Sequence, residues 1–265
     1  MPSLPFALLD RWLAPVPPPS RVDWIGAQDF AHRGLHDAGV PENSRAAFAR
    51  AVSAGVGIEL DVQRSSDGRA VVFHDDTLER LTGDSGRASR RTAQQLGALT
   101  LAGTSETIPT LRDVLAEVAG RVPVLIEVKV GPQQRVAAIC LAVRRVLEGY
   151  VGEHAVMSFD PRVCAWFRRH SSHTVRGLIV SEGDDRALAG KIRRRLSLWH
   201  ARPDFLAYDI RDLPSRFAAA QRRRGMMLAT WTVRTPDHRD RALDHADTDI
   251  FEGEVVRRQE VGVTA

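Results

Sequence analysis

Acidic side chains alternate with apolar ones in two short segments of the chain. In the first segment Glu59 and Asp61 are separated by Leu60, and in the second Glu127 precedes Lys129 by two positions. Residues two apart in a β-strand point to the same face of the sheet, so each pair shares one face. Three converging carboxylates are costly unless a cation compensates them, and oxygen ligands of this kind suit Mg²⁺ or Ca²⁺. The pattern therefore predicts a divalent-metal site, with an internal salt-bridge network around Lys129 as the alternative.

Two histidines are expected beside these carboxylates. His32 ends the first β-like segment, and an Asp67-Gly68 turn predicts a hairpin in which His74 directly faces Asp61. Histidine titrates near neutral pH, so two histidines beside a metal site can act as an acid and a base. A lone histidine is more often structural, but two of them at strand ends beside carboxylates favour catalysis.

Positive and aromatic residues complete the predicted site. Arg33 and Lys129 follow the ends of two of the same segments, where they could hold a phosphodiester and offset charge on its oxygens. Phe159 and Trp231 end two later segments and could form walls of the pocket, although core packing is an equally good role for Phe159. These residues together predict a site that accepts a phosphate diester.

Short apolar segments alternate with amphipathic helical patterns along the chain. The β-like segments are 28–32, 57–62, 70–74, 123–128, 155–159, 174–180, 204–208, 226–232 and 249–252. The second and third are too close for a crossover helix, so the third is an antiparallel extension and eight parallel strands remain. This α/β pattern predicts a (β/α)8 TIM barrel, whose active sites form at the carboxyl ends of the strands. A doubly wound open sheet is the main alternative, although no glycine-rich dinucleotide motif follows the first strand.

Helix ends and one insertion are also readable. Thr110, Asp160 and Thr235 each stand where a side chain can cap the first turn of a helix. Residues 75–108 are polar and follow the hairpin, so they are predicted to be a small insertion. An insertion on the active-site side of a barrel usually shapes the substrate mouth.

Composition is that of an ordinary globular domain. The chain has 265 residues, of which 43% are hydrophobic and 26% charged, enough for one barrel. Its net charge of +4 comes partly from the clusters Arg193–Arg195 and Arg222–Arg224. We interpret both clusters as solvated helix ends rather than a nucleic-acid or membrane surface, because no aromatic residues interleave them. Cys140 and Cys164 lack metal-ligand spacing and are predicted to be buried free thiols.

The N-terminal residues are predicted to form an arm that leads into the barrel, and whether its apolar residues pack on the barrel or on a partner stays open. Residues 1–26 form an N-terminal arm, extended at the Pro17–Pro19 run, and residues 27–265 form a single barrel domain. The apolar run at the N-terminus contains charged residues and has no basic region before it, so we expect no signal peptide. No segment reaches transmembrane length, and we expect a cytoplasmic protein. The oligomeric state stays open.

Eight short motifs occur in the order and spacing of one known family. They are His32-Arg33-Gly34, Pro41-Glu42-Asn43-Ser44, Glu59-Leu60-Asp61-Val62, Phe73-His74-Asp75, Ile108-Pro109-Thr110-Leu111, Ile126-Glu127-Val128-Lys129, Ser158-Phe159-Asp160 and Trp231-Thr232-Val233. Between about residue 29 and about residue 235 the chain therefore resembles the glycerophosphodiester phosphodiesterases. Each motif is weak alone, but eight in order are highly specific. The chain departs from the family at residues 249–253, where a Thr-Asp-Pro-like segment is often found.

The resemblance implies hydrolysis of a small-molecule glycerophosphodiester to glycerol 3-phosphate and an alcohol, with no nucleic-acid partner. It implies that His32 and His74 are the acid–base pair and that Arg33 and Lys129 contact the phosphate. It further implies that Mg²⁺ or Ca²⁺ is bound by Glu59, Asp61 and Glu127, with Glu42 near the site as a partner of Arg33. The alcohol, the metal and the assignment of acid and base stay open.

Three other functions are weighed against this one. A lysophospholipase D or another phosphodiesterase would use the same barrel with a more apolar mouth. A non-enzymatic barrel that binds anions should lack at least one catalytic group, whereas both histidines and all three carboxylates are present. A metal-dependent amidohydrolase should carry His-x-His on its first strand, whereas this strand ends in His32-Arg33.

Overall fold

The structure is a computed structural model that describes residues 4–131, 135–183 and 187–253. The strands within these residues are β1 Phe30–Ala31, β2 Gly57–Arg64, β3 Ala70–Val72, β4 Val124–Val128, β5 His154–Ser158, β6 Val175–Val180, β7 Phe205–Asp209, β8 Met227–Val233 and β9 Thr248–Phe251. The α-helices are α1 Leu4–Leu13, α2 Asp23–Gly26, α3 Arg45–Ser53, α4 Glu79–Thr82, α5 Ala93–Gly97, α6 Leu111–Val118, α7 Val136–Leu147, α8 Pro161–His170, α9 Leu188–Ala201, α10 Arg216–Arg222 and α11 Pro236–His245. All nine predicted strand segments are present.

The strands belong to one sheet in which β3 is an antiparallel extension of β2. The remaining eight strands form the closed parallel barrel that the alternation of strands and helices predicts. The (β/α)8 fold is therefore confirmed, and the open-sheet alternative is wrong. By its contacts the chain divides into two compact units, of which one is Ala31–His154 and the other comprises Met1–Phe30 with Ala155–Ala265.

In the unit formed by Ala31–His154, β2 pairs in parallel with β4 so that Asp61 lies opposite Glu127. The apolar residues that alternate with the carboxylates of β2, namely Ile58, Leu60 and Val62, are fully buried. Helices α3 and α7 pack on β2, and α6 packs beside α3. Thr110 caps α6 as predicted, because its hydroxyl accepts from the Asp113 amide at 3.2 Å. The apolar side chains on one face of β2 therefore pack against helices, and the carboxylates lie on the opposite face.

The hairpin register differs from the prediction by one residue. Val62 lies opposite Val72, and the Phe73 amide, not His74, bonds to the Asp61 carbonyl at 3.0 Å. The cause is a three-residue loop, since the Ser65 amide still pairs with the Arg69 carbonyl at 3.0 Å. Gly68 takes a left-handed φ of 85° in this loop, which is typical of a hairpin closed by a glycine bulge. The predicted direct pairing of His74 with Asp61 is wrong.

The polar insertion at 75–108 shares a hydrophobic core with the end of the hairpin. It contains α4, α5 and a short 3-10 helix at Ala88–Arg90. Its apolar residues pack with the end of the hairpin into one buried cluster, formed by Val71, Phe73, Leu78, Leu81, Ala88, Leu96, Leu101 and Ile108. The segment that follows His74 is therefore held by packing as well as by polar contacts.

In the other unit, β5 to β9 run parallel in sequence order. Asp160 and Thr235 cap α8 and α11 as predicted, through bonds from the Arg162 and His238 amides. The N-terminal segment contains more regular structure than an extended arm, because α1 precedes residues 15–18, which lie outside any helix or strand. Helix α1 packs on α9. The domain boundary predicted at residue 27 stays a prediction.

The remaining sequence predictions on cysteines and arginines had mixed outcomes. Cys140 and Cys164 are buried free thiols, as predicted. Arg222 ends α10, but Arg193–Arg195 lie in the middle of α9, so the helix-end interpretation of that cluster is wrong. One of these mid-helix arginines, Arg194, forms an ion pair with Glu182, with the two charged groups 3.2 Å apart. Across the described ranges, none of the helices combines the length and apolarity needed to cross a bilayer.

Candidate active site

The three predicted carboxylates converge in the unit formed by Ala31–His154. Oxygen atoms of Glu59, Asp61 and Glu127 all lie within 4.8 Å of one another. All three residues are buried, and their strands bring them together because β2 and β4 are neighbours in parallel register. The sequence therefore predicted correctly that these side chains point to the same face of the sheet and converge in one cluster.

Lys129 lies directly beside two of the carboxylates. Its Nζ is 3.1 Å from Asp61 Oδ1 and 2.9 Å from Glu127 Oε1. Its backbone amide donates to the Val62 carbonyl at 2.9 Å, which fixes the point where the chain leaves β4. The salt-bridge network considered from the sequence thus exists, but it engages Asp61 and Glu127 and not Glu59.

Arg33 contacts three acidic side chains, those of Glu42, Glu59 and Asp61. Its backbone amide donates to Glu59 Oε2 at 3.0 Å, its Nη1 donates to Glu42 Oε1 at 2.7 Å, and its Nε is 3.3 Å from Asp61 Oδ2. Arg33 reaches all three because it takes a left-handed φ of 56° in the turn that follows β1. Glu42 is therefore a partner of Arg33, as the family resemblance implies.

The turn after β1 also places His32. The Gly34 amide closes this turn on the Ala31 carbonyl at 3.1 Å, and His32 is half-buried within it. Gly34 has a φ of 82°, and a Cβ atom there would come within 2.9 Å of Ala47 in α3. Only glycine fits this approach of the turn to the helix. The His-Arg-Gly motif thus couples the positions of His32 and Arg33 to α3.

His74 is held by a chain of alternating charges. Its Nδ1 is 2.7 Å from Asp75 Oδ1, Arg80 Nε donates to Asp75 Oδ2 at 2.5 Å, and Arg80 Nη2 donates to Glu42 Oε1 at 2.7 Å. Since Glu42 also binds Arg33, one chain of polar contacts connects Arg33 to His74. The family motif contains Asp75, but sequence reasoning gave it no role and missed Arg80, which comes from α4 in the insertion.

Two buried amides were also missed. Asn43 Nδ2 donates to Asp61 Oδ2 at 2.9 Å, and Asn43 has a φ of 56°, a conformation that asparagine tolerates better than most residues. Gln63 Nε2 donates to the carbonyls of Phe73 at 3.0 Å and Asp75 at 2.6 Å. A polar residue in a motif loop and a glutamine that continues the alternation of Glu59 and Asp61 along β2 were the available signals for these two.

Burial and mutual repulsion shift the carboxyl pKa values apart. Burial, and then Asp61 and Glu127, raise the pKa of Glu59 well above its usual range. Burial and Asp61 likewise raise the pKa of Glu127 to about 7. Burial acts in the same direction on Asp61, but Lys129 and Arg33 outweigh it and lower the pKa of that carboxyl. Full ionisation of the cluster would therefore place three negative charges beside two cations, which the raised pKa values of Glu59 and Glu127 oppose.

This donor set fits a hard divalent cation. The three groups offer only carboxylate oxygens, which Mg²⁺ and Ca²⁺ prefer over nitrogen or sulfur. The raised pKa values of Glu59 and Glu127 show where further positive charge would be stabilising. We conclude that Glu59, Asp61 and Glu127 can hold a metal ion.

Burial keeps His74 neutral near pH 7. Desolvation lowers the pKa of the imidazole, and Lys129 and Arg33 act in the same direction, while Asp61 and Asp75 oppose them. Burial alone would raise the pKa of Asp75, but Arg80 and His74 lower it, so that Asp75 is ionised and can only accept. His74 Nδ1 must then be the donor in this pair, which leaves Nε2 of the neutral ring able to take a proton.

Phe159 and Trp231 belong to the other unit. Their rings meet edge to face, with centroids 5.5 Å apart and planes at 86°. Trp231 Nε1 donates to the Ala207 carbonyl at 3.1 Å, and the Phe159 side chain is exposed. The core-packing alternative for Phe159 is therefore wrong, while its role in a pocket stays a prediction.

Comparisons with known proteins identify the family. The family described as glycerophosphoryl diester phosphodiesterase matches residues 32–265. Glycerophosphodiester phosphodiesterase 1 of Homo sapiens is 42% identical over 98 residues, which cover 33% of this chain and 29% of that protein. A glycerophosphodiester phosphodiesterase of Caldanaerobacter subterraneus is 40% identical over 109 residues, which cover 38% of this chain and 44% of that protein. The matched stretches thus span less than half the length of these relatives.

A solved structure agrees with this match at the level of the fold. A phosphodiesterase of Oleispira antarctica, in complex with the product sn-glycerol-3-phosphate, has a TM-score of 0.74 at 23% identity, over 84% of this chain and 92% of that one. This likeness concerns the fold alone. Because the family match spans most of the sequence, the chain belongs to the glycerophosphoryl diester phosphodiesterase family.

Proposed function

We propose that this protein hydrolyses glycerophosphodiesters to glycerol 3-phosphate and an alcohol, with the help of a divalent metal ion. The observation that carries the proposal is the buried cluster of Glu59, Asp61 and Glu127, bordered by two cations and by a histidine held on an aspartate. Family membership and the names of the relatives support the substrate class.

The phosphate would be held by positive charge. Arg33 and Lys129 are the cationic side chains that border the carboxylate cluster. A bound Mg²⁺ or Ca²⁺ would add charge that attracts the phosphate oxygens and stabilises the charge that develops on them. Arg33 keeps Glu42 as a partner, which fixes the direction of its guanidinium. Charge that is already in place costs no reorganisation when the reaction occurs.

Proton transfer would fall to His32 and His74. One of them removes the proton from the nucleophile, either the neighbouring glycerol hydroxyl or water, and the other protonates the leaving alcohol oxygen. Asp75 binds Nδ1 of His74, which leaves Nε2 of the neutral imidazole available for this task. If the glycerol hydroxyl attacks, a cyclic phosphate forms, and water opens it in a second step in which the two histidines exchange roles.

The test of this function is release of glycerol 3-phosphate from a panel of glycerophosphodiesters. We expect release that EDTA abolishes and that Mg²⁺ or Ca²⁺ restores, and the ranking of the substrates identifies the alcohol. Lysophospholipids belong in the same panel, because a lysophospholipase D uses the same chemistry. If folded, metal-loaded protein cleaves none of these diesters, the proposed function is wrong and an anion-binding role is favoured.

A separate experiment tests which histidine acts as the acid and which as the base. His32→Gln and His74→Gln should each lower kcat on glycerophosphocholine by roughly 10²–10⁴-fold. A diester of glycerol phosphate with p-nitrophenol has a leaving group that needs no protonation. We therefore expect this substrate to restore the first-turnover release of p-nitrophenol in one variant, the one that lacks the acid of that step, and not in the other. Full activity of both variants on both substrates would exclude two-histidine catalysis.

A further inference from the structure

Exposed apolar side chains are concentrated on two helices. Of the eleven large apolar side chains that are exposed among the described residues, seven lie on α1 and α9. They are Phe6, Leu8, Leu9 and Trp12 on α1 and Leu188, Ile192 and Leu196 on α9. We call these seven residues the α1–α9 surface. A concentration of this kind marks an interaction site more often than scattered exposed residues do.

Helix α1 is fixed in one orientation by a buried aspartate. Asp10 accepts hydrogen bonds from Trp199 Nε1 at 2.8 Å and Gln221 Nε2 at 2.9 Å. Leu8 and Trp12 are each two residues from Asp10, which is about 200° around an α-helix, so they lie on the opposite face. The exposure of Leu8 is 62% and that of Trp12 is 87%. The outward direction of these two side chains therefore follows from an anchored helix.

Helix α9 continues this surface. Leu188, Ile192 and Leu196 recur every four residues and form one stripe along the helix. The guanidinium of Arg195, next to that stripe, lies over the ring of Phe6 at 4.3 Å from its centroid. Trp199 on the same helix donates to Asp10. These contacts hold α1 against α9, so the exposed apolar residues of the α1–α9 surface lie on two helices in direct contact.

Basic side chains flank the α1–α9 surface. Arg11 precedes Trp12, and Lys191 precedes Ile192. Both cations are exposed, and neither forms an ion pair within the part of the chain that the structure describes. An apolar face with an exposed tryptophan and free cations beside it is the pattern of a helix that lies in the interface of an anionic membrane. Tryptophan suits that position because its ring is apolar and its N–H is polar.

We propose that the α1–α9 surface docks this protein on membranes that contain anionic lipids. A second copy of the chain fits the surface less well. A two-fold interface places the same patch of both copies together, so Arg11 and Lys191 of each copy would face a patch whose named residues include no acidic partner. A bilayer with anionic headgroups instead pairs these cations and buries the apolar side chains between them. The proposal is independent of the proposed catalytic function.

The experiment measures flotation of the full-length protein with lipid vesicles. One set is phosphatidylcholine alone, and the other contains about a quarter phosphatidylglycerol, so that the headgroup charge is the only difference. The apolar variant combines Leu8→Gln with Trp12→Gln, and the charge variant combines Arg11→Gln with Lys191→Gln. Matched controls are Val151→Gln, where the side chain is 86% exposed, and Arg112→Gln, an exposed arginine of the other unit. All replaced side chains are exposed, so folding should be preserved, and thermal unfolding verifies this.

We expect the unchanged protein to bind the anionic vesicles, more weakly at high salt. The apolar and charge variants should each bind these vesicles about tenfold more weakly or worse, while both controls bind as the unchanged protein does. Failure of the unchanged protein to bind anionic vesicles at low salt would overturn the proposal, as would undiminished binding of the apolar variant. Sedimentation without lipid tests the second copy: a dimer that the apolar variant dissociates would assign the surface to self-association and overturn the proposal.

Discussion

The polar contacts of His74 determine in which protonation state it meets a substrate. Its ring is half-buried, and its Nδ1 is bound to an aspartate that Arg80 holds from the opposite side. Burial lowers the pKa of the imidazole below its ordinary value of 6.5, whereas Asp75 and Asp61 act to raise it. The histidine is therefore neutral at pH 7 and becomes cationic only in more acidic solution.

This balance predicts a titration that Asp75 controls. We expect the pKa of His74 in metal-free protein to lie below 6.5. Asp75→Asn should lower it further, because the replacement removes a negative charge that stabilises the imidazolium. Proton NMR of the ring signals, assigned by their loss in His74→Gln, measures both values. A pKa of 6.5 or higher in the unchanged protein, or an upward shift in Asp75→Asn, would contradict this account.

The carboxylate cluster makes a prediction about stability. Because the pKa of Glu59 is raised in the folded protein, ionisation of this group destabilises the metal-free fold as the pH rises above the value of the unfolded chain. Glu59→Gln should therefore leave metal-free protein at pH 7 at least as stable as the unchanged protein. The Arg33 amide keeps an acceptor, because the glutamine amide oxygen can replace Glu59 Oε2.

With metal bound, the unchanged protein should be more stable than Glu59→Gln, the reverse of the order expected without metal. A ligand that binds only the folded state at about 100 times its Kd adds about 2.7 kcal/mol of stability. Glu59→Gln should lose most of this gain, because one of the three oxygen ligands has become a neutral amide. Thermal unfolding with EDTA and with Mg²⁺ or Ca²⁺ measures the difference, and Glu153→Gln, at an exposed site, is the control. Equal metal-induced shifts in both glutamine variants would exclude Glu59 as a ligand.

At the scale of elements, the turn after β1 depends on its close approach to α3. Gly34→Ala places a Cβ atom 2.9 Å from Ala47, at a φ of 82°. Gly55 at the end of α3 has a φ of 65° but has open space around it, so Gly55→Ala is a matched control. A left-handed conformation costs a non-glycine residue about 1–2 kcal/mol in either case. Gly34→Ala should cost about 1–3 kcal/mol more, because neighbours must move.

Urea unfolding of the two variants measures this difference in the free energy of unfolding. Gly34→Ala should also lower activity more than Gly55→Ala, because Arg33 binds Glu42, Glu59 and Asp61 from this turn. Equal losses of stability in both variants would mean that the turn can move away from α3 without cost.

The elements also show what the sequence can and cannot predict. Strand segments were predictable because alternation of apolar and polar residues is a local property. The hairpin register was missed by one residue, because it depends on whether Gly68 belongs to the turn or to the strand. The core of the insertion was missed because its apolar residues are spaced irregularly and meet only in the folded chain.

The same distinction applies to the candidate site. Glu59, Asp61 and Glu127 were predictable because neighbouring strands of regular geometry carry them. Arg80 and Asn43 were not assigned to the site, because a helix of the insertion and a loop carry them, and tertiary packing decides which partners they reach. Regular elements thus reveal their site residues in the sequence, and irregular segments reveal them only in the structure.

At the scale of the whole molecule, residues far apart in sequence hold α1 in place. Asp10 binds Trp199 in α9 and Gln221 in α10. Asp10 is 2% exposed and Gln221 is fully buried, so loss of the carboxylate would leave one buried donor, Gln221 Nε2, and one partly buried donor, Trp199 Nε1, without an acceptor. Each unsatisfied buried group costs about 1–3 kcal/mol. The N-terminal helix is therefore part of the fold of its unit, a packing that the sequence left open.

This arrangement predicts different effects for two replacements of Asp10. Asp10→Ala should lower the free energy of unfolding by at least about 1–3 kcal/mol, because Trp199 and Gln221 lose their acceptor. Asp10→Asn should cost less, because its oxygen can still accept from Trp199. Rotation of the Gln221 amide would turn Oε1, which has no partner, toward the new asparagine Nδ2. Urea unfolding compares the two variants, and an Asp10→Ala protein as stable as the unchanged one would show that α1 is not docked through this residue.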